Sequence, residues 1–137
     1  MRRAVSTRIS KQESDTGQSR EPIAFVNGEL VPASQAVVSI FDRGFRWGDA
    51  VYDVERTYGG AIFRLRHHLE RLYRSLKYTR IDPGMAMQEM EEAVVKVLEA
   101  NLSLLGPNED YTITQVVQQG STVAKGTGGS GQRGYLL

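Results

Sequence analysis

A histidine and an arginine three residues apart lie in the part of the chain whose residue types suggest binding chemistry. His68 and Arg71 fall in a segment with helical periodicity that begins near Leu65, so they share one broad face of its first two turns. The forked donors of an arginine near the positive end of a helix can hold a phosphate group. A surface arginine paired with Glu70 or Asp82 is the alternative that the residues alone leave open.

Aromatic side chains and glycines are concentrated just before this helix. Phe45, Trp47 and Tyr52 follow one another closely. Gly44 and Gly48 lie where we expect the backbone to bend, because glycine reaches positive φ without steric cost. Aromatic walls beside arginines and turns suit an anionic, planar ligand, but they also occur in an ordinary core with a solvated rim.

Two other patterns are weaker indications of a site. Residues 126–131 match the form G-x-G-x-x-G of a dinucleotide-binding loop, but only six residues follow them, too few for the helix that this motif needs. His67 and His68 are adjacent on a helix and therefore point in different directions. We expect solvated or capping histidines, no metal site and no nucleotide site.

Composition limits the classes of protein to which the chain can belong. It has 137 residues, a net charge of +1 and no cysteines, which predicts one domain without disulfides or cysteine-ligated metals. The near-neutral charge argues against nucleic acid as a partner. No run of 18 apolar residues is present, so we expect no membrane span. A soluble cytoplasmic protein is the expectation.

The elements that must position these residues begin with a hairpin. Residues 23–26 and 29–31 are apolar-rich segments joined by Asn27-Gly28, a dipeptide that accepts positive φ at both positions of a two-residue turn. Residues 36–41 predict another short extended segment. Residues 47–50 predict a turn or a single helical turn.

A second hairpin follows directly. Residues 51–58 alternate as a strand, with Tyr52 on one face and Asp53 on the other. Gly59-Gly60 is a second two-residue turn, leading into residues 61–65. Two hairpins this close in the sequence predict an antiparallel sheet.

Two helices and a last strand complete the pattern. The first helix has one apolar stripe, formed by Leu65, Leu69, Leu72, Tyr73 and Leu76. Pro83-Gly84 ends it, and a second helix has its own inward stripe, formed by Met87, Met90, Val94, Val97 and Leu98. Residues 111–117 are a β-branched run suited to a buried strand.

These elements predict an α+β fold, an antiparallel sheet of hairpins with two helices packed on one face. Residues 1–21 are polar and without periodicity, so we predict a disordered N-terminal extension, with an Arg- and Ser-rich transit peptide as the weaker alternative. Residues 22–120 form the predicted folded domain. Residues 121–137 are Gly-rich and predict a flexible C-terminal end.

Five segments together carry a resemblance to a known family. They are Asp42 to Phe45, Trp47 to Asp53, Gly59-Gly60, Phe63 to Leu65 and His68 to Leu72. In order and spacing they resemble the N-terminal small domain of the fold-type IV pyridoxal-phosphate enzymes, which include the branched-chain and D-amino-acid aminotransferases. Each piece is weak alone, but the combination is specific.

The resemblance implies roles for four residues. Arg71 matches the arginine that binds the phosphate of pyridoxal 5'-phosphate, and Tyr52 matches the tyrosine that lines the substrate pocket. Phe45 and Trp47 would shape that pocket near the domain and subunit interface, where the family forms homodimers. The implied activity is transfer of an amino group between an amino acid, with a branched-chain one favoured, and a 2-oxo acid.

The lysines depart from the family pattern. The cofactor chemistry needs a Schiff-base lysine, and none of Lys11, Lys77, Lys96 and Lys125 fits its place in the family. We therefore expect a truncated small domain of aminotransferase lineage, without a catalytic residue and inactive alone. The alternatives are a non-catalytic domain that only self-associates, or a fragment of a related lyase or amine transaminase.

Overall fold

The computed structural model describes residues 21–120 and 134–136. The strands are β1 (Ile23–Val26), β2 (Glu29–Pro32), β3 (Ala50–Tyr58), β4 (Ala61–Ile62), β5 (Thr112–Gln118) and β6 (Gly134–Leu136). The helices are α1 (Arg43–Trp47), α2 (Leu65–Thr79) and α3 (Met87–Asn101). The strands form one sheet in the order β2-β1-β6-β5-β3-β4, and every pairing in it is antiparallel. The predicted α+β fold is confirmed.

Both predicted hairpins are present. Asn27 and Gly28 have φ of 52° and 98°, the positive values that a two-residue turn between β1 and β2 requires. The turn Gly59-Gly60 joins β3 to β4. Strand β4 ends at Ile62, earlier than predicted, because Arg64 adopts a left-handed conformation and α2 begins at the next residue.

The extended segment predicted for residues 36–41 is wrong as a strand of the sheet. Residues 33–35 form a short 3-10 turn, and the chain from Ala36 to Phe41 pairs with no strand of the described residues. Val37 and Ile40 are largely exposed. β-branched residues favour a strand only where a neighbouring strand is available to pair with them.

Strand β6 lies in the middle of the sheet, between β1 and β5. Leu136 is opposite Val26 of β1 and Val116 of β5. A strand here differs from the flexible end predicted for residues 121–137. The other residues of that segment, and residues 1–20, lie outside the described residues, so the predicted domain boundaries stay predictions.

The two long helices cover one face of the sheet. The inward stripe of α2 contributes Leu69, Leu72 and Leu76, which pack with Met90 of α3 and Val117 of β5. Two smaller clusters join α3 to the sheet through Phe25, Ala93, Val94, Val97, Leu98 and Ile113. None of the helices in residues 21–120 is both long and apolar enough to cross a membrane.

The face of β3 that packs under the helices is polar. Asp53, Glu55 and Thr57 are buried there, whereas Tyr52 and Tyr58 on the opposite face are exposed. The alternation predicted for residues 51–58 is therefore present. Buried carboxylates require charged or hydrogen-bonding partners, and those partners define the candidate site.

Candidate active site

Arg71 and Asp53 form the central contact of the site. Arg71 projects from the second turn of α2 towards β3, and its Nε lies 2.7 Å from Asp53 Oδ2. Its Nη2 lies 2.5 Å from Asp53 Oδ1. The guanidinium and the carboxylate thus meet through two parallel hydrogen bonds, the geometry in which this pair is strongest.

Exposure is divided unequally between the two partners. The Asp53 side chain is 2% exposed, whereas the Arg71 side chain is 61% exposed. The hydrogen bonds found among the described residues use Nε and Nη2 of Arg71. The Nη1 side of the guanidinium therefore has none of these residues as a hydrogen-bond partner, and it is available to an anion.

Asp53 is held by two other donors. Its Oδ1 lies 2.9 Å from His68 Nδ1 and 2.8 Å from the backbone nitrogen of Val54. A carboxylate can only accept, so Nδ1 of His68 carries the proton in this contact. Burial alone would raise the pKa of Asp53, but the hydrogen bonds from Arg71, His68 and Val54 outweigh it and hold that pKa below its usual value.

Glu55 lies two residues further along the same buried face. Gln115 of β5 donates a hydrogen bond from Nε2 to Glu55 Oε1. Glu55 Oε2 and Gln115 Oε1 are both buried without a partner among the described residues. Burial raises the pKa of Glu55, and the negative charge of Asp53 adds to the rise, although Gln115, His68 and Arg71 oppose it.

The same residues include a possible metal-ligand set. Ligand atoms of Asp53, Glu55 and His68 lie within 4.8 Å of one another. Both oxygens of Asp53 already bind Arg71, however, and a cation would have to replace that positive charge. The charge balance therefore favours the guanidinium as the partner of these carboxylates, and the absence of a metal site stays a prediction.

Tyr52 lies apart from Arg71. Its side chain is 70% exposed and belongs to the face of β3 opposite Asp53, whereas Arg71 binds Asp53 on the helix-covered face. Alternation along the strand separates the two predicted site residues. The structure does not bring them together in one cavity within the described residues.

Phe45 and Trp47 lie on α1, next to the open face of the sheet. Asp42 caps this helix by accepting a hydrogen bond from the Gly44 backbone nitrogen at 2.7 Å. Arg43 and Arg46 stack on the Trp47 ring at 5.4 Å and 4.8 Å from its centroid. Phe45 and Trp47 are largely exposed, so α1 carries an aromatic surface flanked by arginines.

Gly44 and Gly48 are needed for different structural reasons. Gly48 ends α1 in the left-handed conformation, with φ of 68°, as expected. Gly44 is needed for close approach, because a Cβ there would lie 2.6 Å from the Cβ of Gln118. It packs α1 against β5, and it is not a point where φ is positive.

Two grooves in the described part of the chain lie elsewhere. One, of about 190 Å³, lies between the first residues of β1 and β5 and is lined by Ile23, Leu98 and Thr114 among others. The other is an open groove of about 810 Å³ along α3. Neither is lined by Arg71, Tyr52, Phe45 or Trp47.

Sequence reasoning missed the buried polar cluster. Arg71 binds Asp53, not Glu70 or Asp82, and His68 is half-buried against Asp53, not solvated or a helix cap. The signal was available in the alternation of residues 51–58. The leucine stripe of α2 must pack against one face of that strand. If Tyr52 and Tyr58 lie on the solvent-exposed face, Asp53 and Glu55 lie on the buried face.

Comparisons with known proteins identify the relatives of the chain. The model of the amino-transferase class IV family matches residues 50–124, more than half of the chain. A putative branched-chain-amino-acid aminotransferase of Methanocaldococcus jannaschii is 39% identical over 77 residues, 56% of this chain and 27% of that protein. A D-alanine aminotransferase of Staphylococcus haemolyticus is 36% identical over 77 residues, again 56% of this chain and 27% of that protein.

Solved structures agree on the fold. The branched-chain aminotransferase of Thermoproteus uzoniensis superposes with a TM-score of 0.69 and 27% identity, over 86% of this chain and 40% of that one. A second branched-chain amino acid aminotransferase, solved in complex with N-(5'-phosphopyridoxyl)-L-glutamate, has a TM-score of 0.70 at 24% identity, over 85% of this chain and 40% of its own. The latter likeness shows the fold alone.

The match covers a limited part of the relatives. The chain spans about a quarter of the length of the two curated aminotransferases named above, 27% of each. The family model, the relatives and the fold of the solved structures all correspond to the resemblance that the sequence motifs indicate. The chain belongs to the class IV amino-transferase family.

Proposed function

We propose that the chain forms the phosphate-anchoring part of a pyridoxal 5'-phosphate-dependent aminotransferase. The reaction would move an amino group between an amino acid, with a branched-chain one favoured, and a 2-oxo acid. A homodimer and a cytoplasmic location are part of the proposal. Family membership and the names of the relatives support it at the level of aminotransferase chemistry.

Arg71 carries the proposal. Its guanidinium is charged, largely exposed and held from one edge by the buried carboxylate of Asp53. A phosphate dianion fits the remaining donors, because guanidinium groups bind phosphate through paired hydrogen bonds. When bound, the cofactor supplies an electron sink for bond breaking at the amino-acid Cα. Arg71 would hold its phosphate end in place.

Tyr52, Phe45 and Trp47 are proposed to line the substrate side. All three are exposed on the open face of the sheet or on α1 beside it. Since Tyr52 and Arg71 belong to opposite faces of β3, they would contact different parts of the bound molecules. The remaining walls of the pocket would correspond to the parts of the relatives that this chain does not span.

None of the described lysines matches the Schiff-base lysine that the cofactor chemistry requires. Lys77 and Lys96 are exposed on α2 and α3, and neither forms an ion pair among the described residues. Lys11 and Lys125 lie outside the described residues. We therefore propose binding of the cofactor phosphate, and no covalent step, for this chain alone.

The test uses a ligand that cannot react with lysine. Pyridoxamine 5'-phosphate has no aldehyde, so its binding reports recognition and not imine formation. We expect amide chemical shifts around Arg71 to titrate with it, and Arg71→Gln to weaken binding at least about tenfold, since a charge-assisted contact is lost. Arg74→Gln removes a neighbouring exposed arginine of α2 and should leave binding unchanged.

The same titration can contradict the proposal. Pyridoxamine without its phosphate is the matched ligand control and should not bind. Equal binding of the two ligands would show that phosphate is not recognised. Equal losses in Arg71→Gln and Arg74→Gln would show that general positive charge, and not this site, attracts the ligand.

A second candidate function rests on the open face of the sheet. Tyr52, Phe45 and Trp47 are exposed together, an aromatic surface of the kind that marks interfaces. This favours a non-catalytic domain that only self-associates. Sedimentation at increasing concentration should then show a dimer that Trp47→Ser weakens, whereas Tyr78→Ser, at a residue that is 91% exposed on α2, should not. A monomer at every concentration would exclude this candidate.

A further inference from the structure

We infer that Asp53 is the positioning residue of Arg71, fixing the plane of the guanidinium so that its Nη1 side meets a phosphate. This inference rests on the proposed function of Arg71 as the phosphate anchor. No role of Asp53 follows from the sequence motifs that carry the family resemblance. The contact is made between two residues 18 positions apart, so only the fold brings it about.

The first step of the argument is the two-point contact. A single hydrogen bond would let the guanidinium rotate about the N–O axis, whereas the bonds from Nε and Nη2 together define its plane. An exposed arginine otherwise samples many rotamers, and ordering it on binding costs free energy. Because Asp53 orders Arg71 in advance, an arriving phosphate meets donors that already have a fixed orientation.

The second step is the rigidity of Asp53 itself. It lies within β3, opposite Gln115 of β5, and its carboxylate also accepts from the Val54 backbone nitrogen and from His68 Nδ1. Four donors converge on two oxygens of a buried group. The carboxylate is therefore a fixed reference point, and the exposed arginine takes its orientation from it.

The third step separates positioning from simple ion pairing. An ion pair with a mostly exposed partner contributes little to stability, and here only the acid is buried while the base is mostly exposed. The two explanations predict opposite results for Asp53→Asn. If Asp53 merely cancels charge, its removal leaves Arg71 more positive in effect, and phosphate binds more tightly. If Asp53 positions Arg71, phosphate binds more weakly.

The experiment compares wild-type chain and Asp53→Asn in the pyridoxamine 5'-phosphate titration. Asparagine keeps the shape and one acceptor oxygen but cannot hold both Nε and Nη2 of Arg71. We expect affinity to fall about fivefold to tenfold, because the Arg71 side chain must then be ordered when the phosphate binds, with an unchanged far-ultraviolet spectrum. Unchanged or tighter binding in a folded Asp53→Asn variant would overturn the inference.

A second measurement tests the positioning without a ligand. The Nε–H and Nη–H signals of Arg71 in the wild-type chain should show slow hydrogen exchange and restricted rotation, with Arg74 as the exposed internal reference. Signals of Arg71 that average like those of Arg74 would overturn the inference, even if Asp53→Asn does not fold. A wild-type chain that does not bind the phosphate ligand would refute the proposed function, and these signals would then decide the positioning alone.

Discussion

Glu55 Oε2 and Gln115 Oε1 are buried without a hydrogen-bond partner among the described residues, and this predicts that Glu55 is protonated. If Glu55 is protonated at Oε2, that hydroxyl can donate to Gln115 Oε1, while Gln115 Nε2 donates to Glu55 Oε1. One proton thus satisfies both buried oxygens and closes a cyclic acid–amide pair. An ionised Glu55 would leave both without a hydrogen bond at 2% and 0% residue exposure, which is costly. We predict that folded Glu55 keeps its proton above its ordinary pKa.

The sign of the pH effect follows from where the proton is held. Burial raises the pKa of folded Glu55 above its ordinary 4.5, and Asp53 adds to the rise. Gln115, His68 and Arg71 act in the opposite direction. Between the ordinary and the folded pKa, the folded chain binds one proton more than the unfolded chain. The contribution of Glu55 to the free energy of unfolding therefore falls in this window, by at most about 1.4 kcal/mol per pH unit.

The assay is urea unfolding at a series of pH values from about 4 to 8, for wild type and Glu55→Gln. Glutamine at this position imitates the protonated acid, since it offers one donor and one acceptor to Gln115 and does not titrate. Other titrating groups, including Asp53, are common to both chains. The difference in unfolding free energy between them isolates Glu55.

We expect wild type to lose stability relative to Glu55→Gln as pH rises from 4.5 to the folded pKa of Glu55. The carbonyl band of a protonated carboxylic acid should appear in the infrared spectrum of wild type and be absent from that of Glu55→Gln. Parallel stability curves without this band would show that folded Glu55 is ionised. The proton-sharing pair would then be refuted.

Three further predictions concern packing and chemistry. Gly44→Ala should lower the free energy of unfolding by about 1–3 kcal/mol, because its Cβ would lie 2.6 Å from that of Gln118; an unchanged urea midpoint would show that β5 yields easily. Leu72→Ala, at 1% exposure, should cost about 2–5 kcal/mol, whereas Tyr78→Ala should change stability by less than about 0.5 kcal/mol. Pyridoxal phosphate followed by borohydride should label no single lysine stoichiometrically by peptide mass spectrometry, and one fully labelled lysine would contradict the expected absence of a catalytic residue.

Local signals were sufficient for most of the fold. The turn dipeptides Asn27-Gly28 and Gly59-Gly60 and the leucine stripe of α2 depend on neighbours in the sequence, and the structure contains the elements that they predict. Residues 36–41 have strand propensity but pair with none of the described strands, which only the three-dimensional structure reveals. Strand β6 is short, and its partners lie far away in the sequence, so no local pattern marks it.

The candidate site could be predicted only in part. Arg71 and Tyr52 were predicted as site residues through motifs, but motifs do not say that the two side chains lie on opposite sides of β3. Asp53 and His68 are 15 residues apart, and their contact depends on how α2 crosses the sheet. The sequence signal for this buried polar cluster is the alternation of acidic residues and tyrosines along residues 51–58.

The central place of β6 has a consequence for the order of assembly. The N-terminal hairpin joins the rest of the sheet through Leu136, which lies opposite both Val26 and Val116. Contacts this distant in sequence are slow to form, because a long loop must close before they contribute any stability. During synthesis, the hairpin of β1 and β2 can therefore join the rest of the sheet only after β6 has left the ribosome. In that interval the edges of β1 and β5 are open to other strands, and this is when chaperone protection would matter most.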